Sequence, residues 1–237
     1  MQATITIARY KKWAIPFAFL SMVAFRIPLY FNKRIKFHKL MGSGRNGTFD
    51  ILPDLHQWAI FTINNEDQHA YISSSYLDVL YGKFIIKWLK IFSKEIFVLL
   101  LEPIKCHGLW DNEAVFGELN YNEESNCTQI GVLTRATIRL SKLKEFWKSV
   151  PLVSSKMKDA KGLMFSIGIG EIPWIKQATF SIWETEEDMK QFAYRMKEHS
   201  QVIKNTRVRN WYAEEMFVRF NIIDSYGTIH GKNPLKK

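Results

Sequence analysis

The sequence predicts an α+β fold built from two tandem βαββαβ repeats. Three observations lead to this prediction: the size and composition of the chain, the order of strand-like and helix-like segments, and the return of that order in the second half. The chain has 237 residues, of which 47% are hydrophobic and 14% aromatic. That is enough to bury a core in one domain or in two small ones.

The first half reads β-α-β-β-α-β. Alternating or apolar runs predict its strands, and apolar residues at helical spacing predict its helices. The strands are predicted at Ala3–Ala8, Ile35–Met41, Trp58–Ile63 and Ile96–Ile104, and the helices at about 12–31 and 66–92.

The second half repeats this order after a polar segment. Its strands are predicted at Thr134–Leu140, Leu163–Gly168, Ala178–Trp183 and Met216–Ile223, and its helices at about 141–160 and 186–209. We therefore divide the chain into a first half at 1–116, a linker loop at 117–130 and a second half at 131–237.

The two halves also match residue against residue. Three blocks repeat at an offset of 120 or 119, which predicts two ferredoxin-like units whose open sheet faces are buried together as an α+β barrel. The matched blocks are Gln57–Ile63 with Gln177–Trp183, Glu95–Val98 with Glu215–Val218, and His107–Phe116 with Tyr226–Leu235.

Charge and cysteine usage restrict the partners and the compartment. The net charge of +10 favours an anionic partner, such as nucleic acid, an acidic membrane surface or an acidic redox protein. Cys106 and Cys127 form no CxxC, no haem-attachment motif and no disulfide framework. This usage is typical of a reducing compartment, so we expect a cytoplasmic location.

An apolar run near the N-terminus, Trp13–Phe25, predicts a buried amphipathic helix. The run is short for a membrane span, Arg26 interrupts it, and no A-x-A cleavage pattern follows. The alternative is a helix that lies on a membrane surface, peripheral to the membrane, with basic residues near the headgroups. Those residues are Lys11, Lys12, Arg26, Lys33 and Arg34.

His199 lies on the apolar stripe of the last predicted helix, with Phe192, Met196, Val202 and Ile203 at helical spacing. It is either a neutral core histidine or a ligand for a metal or haem iron. At an offset of 120 its counterpart is Val79, so the first half does not share this imidazole. That asymmetry favours the ligand interpretation.

Six segments of the chain resemble the spheroidene monooxygenase family. The most specific parts are the I-G-I-G-E-x-P block at 167–173 and the W-Y-x-E-E-x-F block at 211–217. The segments are KLMGSGRNGTFDILPDLHQWAIFTI (39–63), LEPIKCHGLWDNEAVF (101–116), LTRATIRLSKLKEFWKSVP (133–151), LMFSIGIGEIPWIKQATFSIWE (163–184), HSQVIKNTRVRNWYAEEMFVRF (199–220) and YGTIHGKNPL (226–235).

The resemblance implies a haem protein of the dimeric α+β barrel type. Members of this family use O2 and reduced ferredoxin to oxygenate the end of an acyclic carotenoid, forming a keto group by successive hydroxylation. On this chain His199 becomes the leading candidate for the axial haem ligand, and His107 the second. A homodimer through an outer helix face stays open.

Two arginines are candidates for the distal side of the haem. Arg135, Thr137 and Arg139 would share one face of the strand Thr134–Leu140, since strand side chains alternate. Arg135 or Arg139 would then be a distal hydrogen-bond donor or a partner of a haem propionate. The alternative is that both are solvated or pair with Glu at the sheet rim.

A polyene substrate requires apolar walls, and β-prone segments of the second half offer them. The candidates are Phe165, Ile167, Trp174, Phe180 and Ile182. Gly168 would let the backbone approach a flat cofactor, although a turn with positive φ explains Gly168 and Gly170 equally well. Ordinary core packing is the alternative for the aromatic residues.

Two other function classes stay open. Nucleic-acid binding is disfavoured, because Lys161–Phe165 matches the RNA-recognition pattern poorly and two fused sheets would bury the stacking face. The second class is a cofactor-free α+β barrel protein that binds an apolar ligand or acts through its cationic surface.

Overall fold

A computed structural model describes residues 1–45, 50–64, 71–119, 129–195 and 209–236. In the first half the elements are β1 (Gln2–Tyr10), α1 (Ile15–Ala24), α2 (Arg26–Phe31), β2 (Ile35–Gly44), β3 (Pro53–Asn64), α3 (Ser74–Phe92) and β4 (Ser93–Gly108). In the second half they are β5 (Ile130–Ile138), α4 (Leu143–Lys158), β6 (Leu163–Ile172), β7 (Lys176–Trp183), α5 (Glu186–Lys190) and β8 (Tyr212–Gly227).

Local chemistry explains where several helices begin. The hydroxyl of Ser73 accepts the backbone N–H of Tyr76 at 3.0 Å and caps α3, and Thr185 caps α5 in the same way through Asp188 at 3.1 Å. Such side chains satisfy backbone N–H groups that a helix start leaves without a partner. The segment predicted as one helix at 12–31 is instead a 3-10 turn followed by α1 and α2. Pro28 explains the second break, because its missing N–H is tolerated only in a first turn.

The strand order confirms the predicted fold class. In the first half the order is β4-β1-β3-β2 and in the second β6-β7-β5-β8, and the eight strands close into one sheet. The central strands β1 and β5 each pair antiparallel with two neighbours. This is the order of two ferredoxin-like sheets joined as an α+β barrel.

Two compact units make up the chain, and neither is continuous in sequence. One contains residues 1–42, 55–103 and 222–237, and the other contains residues 43–54 and 104–221. The division predicted at 116 and 131 stays a prediction, with residues 120–128 of its linker outside the described part.

Each unit has apolar clusters of its own beneath its helices. In the first, α1 to α3 pack on the sheet through buried residues such as Ala18, Phe25 and Leu89. In the second, one cluster centres on Phe146 and another on Trp183. The helices therefore lie on one face of each sheet, as the βαββαβ order requires.

Hydrogen bonding corrects the offset between the matched strand blocks of the two halves to 119. The N–H of Leu109 donates to the carbonyl of Glu215 at 3.0 Å, and the N–H of Thr228 donates to the carbonyl of Ile96 at 3.1 Å. Both the donors and the acceptors of these two bonds are 119 residues apart. The predicted offset of 120 for the strand blocks is wrong by one residue, because it matched identical letters rather than hydrogen-bonded positions.

Candidate active site

Arg135 lies in the middle of β5 with only 1% of its side chain exposed. Its strand neighbours are Ala178 on β7 and Met216 on β8. Neither neighbour can pair with a charge, so the guanidinium must find its partners beyond them. A buried charge without partners would cost several kcal/mol, roughly, in folding free energy.

Three carboxylates surround the guanidinium of Arg135. Its Nη2 lies 3.0 Å from Asp111 and 3.7 Å from Glu171, and its Nη1 donates to Glu214. Lys176 adds a second cation, 2.6 Å from the carboxylate of Asp111. Two positive and three negative groups leave this cluster, which we call the Arg135 network, with a formal charge of −1.

Trp110 orients the network from one side. The guanidinium carbon of Arg135 lies 5.6 Å from the centre of its ring, within range of a cation–π interaction. The indole N–H of Trp110 donates to Glu171 at 2.8 Å. One buried aromatic side chain therefore fixes both the cation and one of its carboxylate partners.

A tight turn after β4 delivers Trp110 and Asp111 to this place. Trp110 and Glu113 form an isolated antiparallel bridge, and Asp111 and Asn112 between them have positive φ angles of 55° and 65°. Glu214 accepts the backbone N–H groups of both Asp111 (3.0 Å) and Asn112 (2.6 Å). The carboxylate thus holds the turn and the arginine together.

Two opposing effects act on the pKa of Arg135. Burial lowers it from its ordinary value, while the charges and hydrogen bonds of Glu171 and Asp111 raise it. An arginine stays protonated across the working range of proteins, so the network keeps its cation. Among the described residues the buried Nε of Arg135 has no hydrogen-bond partner. One N–H of a fixed guanidinium is therefore available to another acceptor.

The clamp on the turn is common to both halves. In the first half Glu95 accepts the backbone N–H of Gly231 at 2.5 Å. Glu95 and Glu214 are 119 residues apart, as are Asn112 and Gly231. The same acceptor therefore holds the same turn twice, which indicates a structural role.

Arg135, by contrast, has no counterpart of its kind. The equivalent position on β1 is Ile7, which pairs with Ala59 as Arg135 pairs with Ala178. A barrel of this design folds its first half with an isoleucine at that place. The buried arginine of the second half is therefore an addition to the shared architecture, as expected of a functional group.

Four of the predicted wall residues lie together. Phe165 pairs with Ile182 and Ile167 pairs with Phe180 across β6 and β7, so all four side chains share one face of the sheet. Gly168 pairs with Thr179 and lies on the opposite face. The φ of Gly168 is not positive, so a turn that needs a positive φ does not explain this glycine. The predicted approach of its backbone to a flat cofactor stays a prediction.

Trp174 is not part of this apolar face. It lies in the turn between β6 and β7 with a φ of 65° and is 51% exposed. Its indole N–H donates to the carbonyl of Ile51 at 3.0 Å, and its own carbonyl accepts from Trp147 at 3.1 Å. These bonds anchor a surface turn.

Arg139 does not share the environment of Arg135. The register of β5 shifts between Thr137 and Ile138, and the strand ends at Ile138. Arg139 is exposed, and its Nε donates to the carbonyl of Tyr212 at 3.1 Å. The expectation that both arginines share one strand face is wrong, because the bulge breaks the alternation.

The candidate iron ligands are placed as follows. His199 lies outside the described residues, so its predicted role stays a prediction. His107 is exposed near the end of β4. His38 lies within β2, where burial and the charges of Lys39 and Arg26 lower its pKa. Within the described ranges no cluster of three His, Cys, Asp or Glu side chains is arranged to hold a metal ion.

Sequence reasoning missed the partners of Arg135, although the segments that carried the resemblance contain them. Glu171 belongs to the I-G-I-G-E-x-P block, Glu214 to the W-Y-x-E-E-x-F block, and Trp110 and Asp111 to the segment at 101–116. Three blocks far apart in sequence thus meet around one arginine.

Comparisons with known proteins show which family the chain is similar to. The chain is 34% identical to spheroidene monooxygenase from Rhodobacter capsulatus over 222 residues, covering 94% of this chain and 90% of the relative. The chain belongs to the spheroidene monooxygenase family. Spheroidene monooxygenase from Cereibacter sphaeroides is 32% identical over 90% of this chain and 64% of its own length. These relatives support an oxidoreductase of the monooxygenase class.

Solved structures support the fold of this family member. An aldoxime dehydratase crystallised with butyraldoxime has a TM-score of 0.62 at 10% identity, over 99% of this chain and 83% of that one. Another aldoxime dehydratase has a TM-score of 0.56 at 7% identity, over 94% and 81%. At such identities the likeness concerns the fold alone. No model of a protein family matches the chain.

Proposed function

We propose that this chain is a haem-dependent monooxygenase that inserts oxygen from O2 into an apolar, acyclic carotenoid-like substrate with electrons from a reduced ferredoxin-type donor. The observation that carries the proposal is the 34% identity, over 94% of the chain, to a spheroidene monooxygenase. The reducing compartment inferred from cysteine usage suits such a donor, and we propose a cytoplasmic enzyme.

The reaction balances as a hydroxylation. One oxygen atom of O2 enters a C–H bond of the substrate, and the other leaves as water with two protons and two electrons from the donor. A second hydroxylation at the same carbon gives a geminal diol, which loses water to form a keto group.

The residues of the second half fit a haem in part. Haem iron needs one protein ligand, apolar surroundings and a polar group on its open side, and when bound it supplies the activation of O2. His199 would hold the iron, with His107 as the second candidate. The buried Nε of Arg135, which has no partner among the described residues, is a donor that a bound group can use.

A propionate does not fit beside Arg135. The Arg135 network already contains three carboxylates and has a formal charge of −1, so a further carboxylate would be repelled. Of the two roles predicted for this residue, we therefore propose the distal donor. Its partners and Trp110 hold the guanidinium in one orientation. A hydrogen-bond donor that is fixed in this way, in a site without water, stabilises negative charge that develops during the reaction.

The apolar face of β6 and β7 suits a polyene and excludes water. Ile167, Phe180 and Ile182 are almost fully buried and offer no polar side chain. A polyene gains by leaving water for such a surface, and a reactive oxidant is protected from side reactions there.

An isotope experiment tests the proposal. Protein expressed with a haem precursor is supplied with reduced ferredoxin and spheroidene, the compound in the relatives' name, under ¹⁸O2 in ordinary water. We expect ¹⁸O in the hydroxylated product, as measured by mass spectrometry. We expect Arg135→Lys to lower the rate by about 10²-fold, the typical loss for one oriented donor, and Arg139→Gln to leave it nearly unchanged.

The result that contradicts the proposal is equally specific. If the protein binds spheroidene but no labelled product forms, it is the cofactor-free apolar-ligand protein of the alternative. If the hydroxylated product carries oxygen from water instead of O2, the reaction is a hydration rather than an oxygenation.

A further inference from the structure

The segment α1–α2 is apolar on both faces, although it lies at the surface of its unit. Its residues exposed to solvent recur at helical spacing, and Val23 and Ile27 are each 66% exposed. The exposed large apolar residues of α1 and α2 are Phe19, Leu20, Val23, Ile27, Tyr30 and Phe31. A patch of this kind on a soluble protein marks an interaction surface.

The other face of the segment is firmly packed on α3. The ring of Phe17 stacks on Phe92 with centroids 4.2 Å apart, and Phe25 meets Trp88 edge-on at 5.9 Å. The side-chain amide of Asn32 donates to two carbonyls of α3, at 2.8 and 3.2 Å. Packing on α3 therefore holds the exposed apolar residues between Phe19 and Phe31, which we call the apolar stripe, on the outer side of the segment.

Lys12–Phe31 is long and apolar enough to cross a membrane by length and composition. A crossing would require α1 and α2 to leave α3 and expose Phe17, Phe25 and their partners. The packed arrangement favours a segment that lies in the membrane interface with one face in the protein and one in lipid.

The charge of the chain is concentrated at the same end. Residues 1–49 hold nine of the 33 Lys and Arg and none of the 23 Asp and Glu, so the rest of the chain is almost balanced, with 24 against 23. Within the described part, four basic residues flanking the stripe, Lys12, Lys33, Arg34 and Lys36, are exposed. Trp13, 60% exposed beside Lys12, is of the type that favours the interface between lipid and water.

We propose that α1 and α2 dock this protein onto an anionic phospholipid bilayer. The stripe enters the boundary of the acyl chains, and the flanking lysines and arginine contact the headgroup phosphates. A second copy of the chain is disfavoured as the partner of this surface. Residues 1–49 carry basic but no acidic side chains, so two copies of the segment would repel each other. The proposal is independent of haem and of turnover.

Cosedimentation with lipid vesicles tests the proposal on the full chain. We expect strong binding to phosphatidylcholine vesicles with about 30 mol% phosphatidylglycerol and little binding to phosphatidylcholine alone. Binding should fall at roughly 0.5 M salt, where surface charges are screened.

Two pairs of variants assign the binding to this segment. Leu20→Gln with Ile27→Gln should weaken the partition into vesicles by about tenfold or more, whereas Leu140→Gln, which changes an exposed leucine in the other unit, should not weaken it.

Lys33→Gln with Arg34→Gln should weaken the partition into vesicles roughly fivefold per charge. The control with the same charge loss is Lys144→Gln with Lys148→Gln, two exposed lysines of α4. Thermal unfolding checks that each variant is folded.

Three outcomes would overturn the proposal. They are the absence of vesicle binding, binding that both control variants lose equally, and a dimer in sedimentation velocity that Leu20→Gln with Ile27→Gln converts to a monomer. The last would mean that a second copy covers the stripe. Haem binding and turnover can fail without affecting any of these readouts.

Discussion

Arg135 poses the sharpest electrostatic problem among the described residues. A guanidinium that is 1% exposed loses nearly all of its hydration, and the three carboxylates and Trp110 replace it. Removing one partner of a buried ion pair is costly because the other charges are left behind. Here the loss of one cation would leave three carboxylates facing a single lysine.

The buried ion pairs of Arg135 predict the effect of Arg135→Gln on stability. We expect the free energy of unfolding to fall by about 3–5 kcal/mol, as for a broken buried ion pair. Arg139→Gln removes the same charge four residues away at an exposed site, and there the change should stay within about 0.5 kcal/mol. Urea unfolding followed by circular dichroism measures both. Equal effects of the two variants would mean that the network does not carry the cost.

Single residues also show what the sequence could predict at this site. Alternation along the predicted strand singled out Arg135 and Arg139 together, as residues that would share one face. Asp111, Glu171 and Glu214 were not found, since they come from a turn and two other strands and no local spacing connects them. Arg139 was misplaced because a bulge interrupts the alternation, and such a bulge leaves little trace in sequence.

At the level of elements, hydrophobic periodicity predicted each of the eight strands and located α3 and α4, but it predicted one helix where α1 and α2 are separate. The helix predicted at 186–209 is described only as far as Arg195. Its errors are at the boundaries: β3 begins at Pro53 rather than Trp58, and β4 extends to Gly108 rather than Ile104. Strand ends depend on partners elsewhere in the chain, which periodicity does not contain. The offset between the halves required hydrogen bonds for the same reason.

The ends of β4 and β8 depend on a glycine in the same position of each half. Gly108 has a φ of 89°, and a Cβ there would collide with the carbonyl oxygen of Glu215, which accepts the N–H of Leu109. Gly227 meets the carbonyl of Ile96 in the same way. The glycine therefore permits both the backbone angle and the close approach.

We predict that Gly108→Ala lowers the free energy of unfolding by about 3 kcal/mol or more. Gly117→Ala is the matched control, since Gly117 also has a positive φ but nothing lies within 4 Å of a Cβ there. Its cost should be about 1–2 kcal/mol, from the angle alone. Denaturant unfolding compares the two. If both variants lose the same amount, the close approach contributes nothing.

For the whole molecule, the two halves share an architecture and differ in chemistry. Both clamp a turn with a glutamate, but the second places a buried arginine where the first has Ile7, and among the described residues the exposed apolar stripe of α1 and α2 belongs to the first half alone. The fold and the family could be predicted from the sequence, because both depend on patterns spread along the chain. The Arg135 network could not, because it depends on which distant side chains meet.

Haem binding through the second half is the central claim, and an absorption spectrum tests it most directly. Protein expressed with a haem precursor should show a Soret band that His199→Ala loses or shifts and that His107→Ala retains. If the wild-type protein binds no haem even after reconstitution, the proposed haem-dependent reaction is contradicted for this chain.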